Sequence, residues 1–330
     1  MPARRHLPAL AALTAALALV VAGCGSSGGG GQSAGGATAP VELALDFTPN
    51  AVHAPLFAAV RTGADRRHGI RLTIRRPAGG PDSLKLIAAG RIDLGVLDIH
   101  DLGIARTQGV DVVGIAALVR RPLAALVARP PVRRPRDLEG RTVGVSGLPS
   151  DPAFVRAIVE HDGGDFSRLH LVTIGFNSVS ALLTGRVDAA PVFWNAEGVA
   201  LRERGVPIRE FRVDEYGAPP YPEVVLVTSR RTLERKRDVL RRTLLAIRDG
   251  MRAVQRDPGA AVRDVAQAAE ADDTKLIAAQ LRAVRPVFAT DLRLDRGILE
   301  RWAAFDARIG ITRSRPDVAS AFDFSLVPRG

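Results

Sequence analysis

One stretch of the chain occurs twice, and that repeat limits its architecture more than any other feature. SLKLIAAGRIDLGVLDIHDLGIARTQGV, from Ser83 to Val110, lies over SVSALLTGRVDAAPVFWNAEGVALRERGV, from Ser178 to Val206. Serine and first glycine are seven residues apart in both copies, and the second glycine follows 19 or 20 residues later. Each copy reads as a helix, a Gly-Arg-Ile/Val-Asp turn, a short apolar strand and another helix. Two such copies predict two similar α/β lobes. The flanking pattern agrees: VELALDF, IRLTIRR, IDLGVLD and VDVVGIAAL alternate with helical segments, as in mostly parallel sheets covered by helices. The proline-rich and charged ARPPVRRPRDLEG reads as a crossing between lobes.

The first 40 residues stand apart from this pattern. Arg4 and Arg5 precede an apolar run from Leu7 to Ala22 that reads as a secretory signal, ending in Val21-Ala22-Gly23-Cys24. That ending resembles a lipobox, which makes Cys24 the expected lipidation site. GSSGGGGQSAGGATAP then reads as a flexible tether. The expected division is signal 1–24, tether 25–40, a first lobe from 41–130 and 224–330, and a second lobe from 131–223. The molecule would be a monomer held on the extracytoplasmic face of the cell membrane.

Composition excludes several kinds of chemistry. Cys24 is the single cysteine, so disulfides, thiolate metal sites and cysteine nucleophiles are ruled out of the folded part. Gly144-Val145-Ser146-Gly147 misses the nucleophile elbow because Leu148 replaces its second glycine; it reads instead as a strand-to-helix turn with amides facing a ligand. No phosphate loop, dinucleotide fingerprint or H-E-x-x-H occurs, and no histidines pair at helical metal spacing. No catalytic residue, metal or cofactor is expected. A composite site of His53, His100, Asp98 and Asp101 is the minority alternative. Net charge is +11, or +9 without Arg4 and Arg5. Nucleic acid is the tempting partner, but export argues against it. In RRTLERKRDVLRRTLLAIRDGMR the apolar residues recur at helical spacing, which puts the arginines on a wet face.

Ligands of open α/β sheets sit beyond the carboxyl ends of strands. Those ends carry Asp46 and Phe47, then Asp98 and His100, then Trp194, Asn195 and Glu197. Trp194 is expected in the cleft, whereas Tyr216 and Tyr221 fit cleft and core equally well. Acids at strand ends in a basic protein suit a ligand rich in amino groups.

LDFTPNAVHAPLFAAV, GRIDLGVLD and DLEGRTVGV together resemble the NMT1/THI5-like (SsuA/THI5-like) branch of periplasmic binding proteins over roughly residues 41–260. The resemblance implies a type II two-lobed fold with a hinge, closing on a small molecule for delivery to an ABC permease. It maps Asp46, Asn50 and His53 onto a ligand-binding motif. It also implies an aminopyrimidine of the thiamine-precursor type, hydroxymethylpyrimidine or formylaminopyrimidine. Riboflavin, sulfonate, taurine and nitrate carriers are alternatives, as is a yeast-type pyrimidine synthase that consumes a protein histidine and pyridoxal phosphate. The synthases also carry a cysteine-rich iron-linked segment, and the corresponding YGAPPYPEVVLVTS contains no cysteine.

Overall fold

The computed structural model describes residues 38–76, 82–148 and 150–327. The signal, Cys24 and nearly all of the expected tether lie outside the described residues. The first strand already starts at Ala39, so the tether gives way to structure slightly earlier than expected.

Ten strands form two five-stranded sheets of matching plan. The first lobe holds β1 (Ala39–Ala44), β2 (Ile70–Arg75), β3 (Leu94–Asp98) and β4 (Val112–Ala117). The second holds β5 (Ala124–Ala128), β6 (Thr142–Val145), β7 (His170–Thr173), β8 (Ala189–Phe193) and β9 (Arg209–Arg212). β10 (Val224–Ser229) returns to the first sheet. The orders are β2-β1-β3-β10-β4 and β7-β6-β8-β5-β9. Each sheet has one antiparallel member, β10 or β5, and in each case it is the strand that has just arrived from the other lobe.

This pairing corrects the expected lobe boundary. β5 sits between β8 and β9 in the second sheet, so the first crossing is the short stretch 118–123. The proline-rich segment follows β5 inside the second lobe, where Val132, Pro135 and Leu138 are buried. Its prolines end one strand and shape the approach to the next; they do not mark a change of lobe.

The repeat corresponds to real units. The first copy forms the helix Asp82–Ala88, β3 and the helix Ile99–Thr107; the second forms Ser178–Leu183, β8 and Glu197–Glu203. Gly90 and Gly185 leave their helices at φ of 66° and 72°, the left-handed region that favours glycine. The aspartate three residues later works identically in both copies. Asp93 accepts the Glu42 amide of β1 at 3.2 Å, and Asp188 accepts the Thr142 amide of β6 at 3.0 Å. Each turn therefore fastens its strand to the parallel neighbour.

Packing fixes the element that carries the first-lobe loop. The helix Arg237–Arg256 buries Leu240, Leu244, Ile247, Met251 and Val254 and leaves Arg237, Arg241, Arg252 and Arg256 exposed, as its periodicity predicts. The helix Ala54–Arg61 crosses it closely at Gly250, where an added Cβ would stand 2.1 Å from the Pro55 carbonyl oxygen. Among the described residues no helix is long and apolar enough to cross a membrane.

Candidate functional site

The carboxyl ends of strands from both sheets border a cavity of about 1100 Å³, its mouth included. On the first-lobe side, the chain leaves β1 through Asp46 and Phe47 and turns at Asn50. The Asn50 side chain accepts the Val52 amide at 2.9 Å, while the Asn50 amide donates to His53 Nδ1 at 3.2 Å. With Nδ1 accepting, Nε2 carries the proton and donates to Asp46 Oδ1 at 2.8 Å. Asp46, Phe47 and Asn50 line the cavity. His53 is only 1 % exposed and stands behind Asp46, so it aims that carboxylate and does not itself form the wall.

At the end of β3, Asp98 caps the next helix by accepting the His100 amide at 2.7 Å. Both Asp98 and His100 reach the cavity. The His100 ring is otherwise buried, with Nδ1 at 2.8 Å from Asp306 and Nε2 at 3.0 Å from the Tyr221 hydroxyl. Burial alone would depress its pKa, but the Asp306, Asp98 and Glu223 carboxylates around it raise the value to about 10. His100 is therefore an imidazolium at neutral pH.

Glu223 lies on the second crossing, between β9 and β10, and is wholly buried. Its Oε2 accepts the amides of Leu123 at 2.6 Å and Ala124 at 2.9 Å, so it clamps one crossing to the other. Asp98, His100 and Glu223 offer donor atoms within 4.8 Å of one another, the spacing a cation needs. Both His100 nitrogens already face carboxylate or hydroxyl oxygen, which suits a proton there.

The second-lobe wall holds Phe176, Ser178, Phe193 and Glu197, together with Ser146 and Asp151. Ser146 donates through both its amide and its hydroxyl to Asp151 Oδ2, each at 2.6 Å. Glu197 Oε2 accepts the Phe193 amide at 3.1 Å. Burial raises the pKa of Asp151, and burial reinforced by the Asp46 charge raises that of Glu197. Among the contacts that bring the lobes together, the Phe47 and Phe176 rings meet edge to face at 4.6 Å, Ser150 Oγ donates to Asp101 at 3.4 Å, and Gln280 donates to the Ala196 carbonyl at 3.2 Å.

Besides His53, four expected residues lie elsewhere. Trp194 is turned away from the cavity; its indole donates to the Pro122 carbonyl at 3.0 Å and Arg212 covers its ring at 4.4 Å. Trp194 falls in the turn just beyond β8, and Phe193, the last residue of that strand, takes the wall. Asn195 is fully buried, with neither side-chain atom hydrogen-bonded. Tyr216 packs edge-on against His161 and Phe211 and borders a separate groove. Tyr221 is core, held by His100.

Sequence reasoning missed Ser83 and Ser178, the first residues of the two repeat copies, although both line the cavity. Their matched positions were the available signal. Phe176, Asp151 and the distant Asp306 carried no such signal, because only tertiary packing brings them in.

The profile of the family described as NMT1/THI5 like matches residues 50–261. Among curated proteins, the formylaminopyrimidine-binding protein of Halalkalibacterium halodurans is 34 % identical over 203 residues, spanning 61 % of this chain and 62 % of that relative. The 4-amino-5-hydroxymethyl-2-methylpyrimidine phosphate synthase THI5 of Saccharomyces cerevisiae is 24 % identical over 235 residues, 67 % of this chain and 68 % of the synthase. Among solved structures, the alkanesulfonate-binding protein SsuA of Xanthomonas axonopodis pv. citri, bound to MOPS, superposes with a TM-score of 0.71 at 17 % identity, covering 86 % of this chain and 98 % of SsuA. Its fold is that of a two-lobed type II periplasmic binding protein. With the profile spanning most of the described lobes, the chain belongs to the NMT1/THI5-like family.

Proposed function

We propose that this protein is an extracytoplasmic, lipid-anchored solute-binding component of an ABC importer, and that its ligand is an aminopyrimidine of the thiamine-precursor type. The observation that carries this reading is the character of the cavity wall. Asp46, Asp98, Asp101, Asp151 and Glu197 all line it, and no lysine or arginine does so among the described residues. A sulfonate or nitrate would meet five carboxylates, against one imidazolium, His100, that Asp306 already engages. An aminopyrimidine offers amino and ring N–H donors to them and a flat face to Phe47, Phe176 and Phe193. The 34 % identical relative, a formylaminopyrimidine-binding protein, supports the same class of ligand.

The synthase reading is weaker on this chain's own residues. His53 is shielded behind Asp46, and no lysine lines the cavity to form a Schiff base with pyridoxal phosphate.

Calorimetric titration with 4-amino-5-hydroxymethyl-2-methylpyrimidine and with its formylamino analogue tests the proposal. Saturable binding is expected, and Glu197→Gln should weaken it about tenfold or more, the worth of ~1.4 kcal/mol for one charge-assisted hydrogen bond. Tight binding of an alkanesulfonate with no response to either pyrimidine would refute it.

A further inference from the structure

The carboxylates of the cavity wall are divided between the two lobes. Asp46, Asp98 and Asp101 belong to the first lobe, Asp151 and Glu197 to the second. The edge-to-face Phe47–Phe176 contact and the Ser150–Asp101 hydrogen bond show the lobes drawn together around them. Closure therefore brings like charges toward each other while it removes water, and the lining supplies no lysine or arginine to offset them. The nearest fixed cation, His100, is already engaged by Asp306 and faces Glu223.

Building on the aminopyrimidine reading, we infer that the cavity takes its ligand as a cation, a weakly basic aromatic heterocycle protonated on a ring nitrogen, and that closure draws at least one proton from solvent. The groups around each acid are consistent with this. Asp101 faces His100 on its own helix, Asp151 and Ser150 from the second lobe, and Asp46 from the β1 loop; burial, with the two aspartates, raises its pKa to about 7 in spite of His100. Asp98 faces Glu223, His100 and Asp101, and burial, reinforced by the Glu223 charge, pushes its pKa well above the ordinary value. Glu197 faces Asp46, and Asp151 is held by Ser146 and Gly147. In an open, wet cleft such groups titrate near ~4. The closed form thus holds more protons than the open form between about pH 4 and 7, so affinity must rise as pH falls through that window.

The charge is also a selection rule. A ring of the same shape without the amino group is a far weaker base and brings no positive charge to offset the facing acids. The binding energy that pulls the lobes together would then be spent on their repulsion.

The test uses the intact protein and 4-amino-5-hydroxymethyl-2-methylpyrimidine, titrated calorimetrically at about pH 6.5 in phosphate and in imidazole, buffers of different ionisation enthalpy, and then across pH 5 to 8. Expected are buffer-dependent enthalpies corresponding to net proton uptake, affinity rising by up to about tenfold per pH unit on acidification, and at least tenfold weaker binding of the ring lacking the amino group. Asp101→Asn and Asp151→Asn should each reduce the uptake and flatten the pH dependence. Identical enthalpies in both buffers with a pH-independent Kd would overturn the inference and leave the aminopyrimidine reading standing. Absence of binding at every pH would overturn both.

Discussion

At the end of β3 one imidazole gathers side chains from three parts of the chain: Asp98 beside it, Asp306 from the helix Arg296–Ile309, and Tyr221 and Glu223 from the second crossing. Because the folded-state pKa of His100 stands near 10, above the ordinary 6.5, its stabilisation is complete below pH 6.5 and is lost as pH rises through 10. Asp98, Asp306 and Glu223, whose values burial raises, change stability in the same direction as pH climbs through the carboxylate range. Urea-unfolding midpoints of the wild type should fall steadily from pH 7 to 10; His100→Gln should start lower and lose the part of that fall that the imidazolium supplies. At this scale the sequence was readable where a local motif fixed geometry. Asp46, Asn50 and His53 form one hydrogen-bonded knot within eight residues. It was unreadable where a single step along the chain decided the outcome, as between Phe193, which ends β8, and Trp194, in the turn beyond it.

Helices and turns set where those residues stand. Gly250 lets the helix Ala54–Arg61 lie against the helix Arg237–Arg256, and the first of these begins immediately after His53. Gly250→Ala would force a Cβ into the Pro55 carbonyl, so a loss of ~1–3 kcal/mol in chemical denaturation is expected, together with weaker ligand binding as the Asp46 loop shifts. Elements with matched spacing were legible because physics repeats with them: Gly90 and Gly185 end helices, and Asp93 and Asp188 fasten strands, in the same way twice. The first crossing was not legible. Residues 118–123 carry no compositional break, whereas the prolines beyond β5 do, and a proline-rich segment serves as readily within a lobe as between two.

For the whole molecule, the two-lobed architecture follows from the repeat together with the two crossings, while the proposed tether and anchor rest on the sequence of the first 40 residues alone. Cys24→Ala should release the protein from a membrane fraction without changing its thermal midpoint, a result read by fractionation and calorimetry. Unchanged membrane retention would contradict the anchor. Charge acts at this scale too. The surface is strongly basic, yet the cavity is acidic, so arginines on outer helix faces leave the interlobe space to carboxylates.

The exchange of strands between sheets has a further effect, on the order in which the chain can assemble. Among the described strands β4 has β10 as its only neighbour, and β10 also borders β3. Until residue 229 has emerged from the ribosome, the first lobe consists of three paired strands and a fourth with nothing to join. The lobe made first is thus the one that must wait, and its long-range pairing makes folding slow. Under the proposed export, with the chain threaded through a membrane while still extended, that delay would be useful: the sequence that would block the channel by folding early lacks the strand it needs to do so.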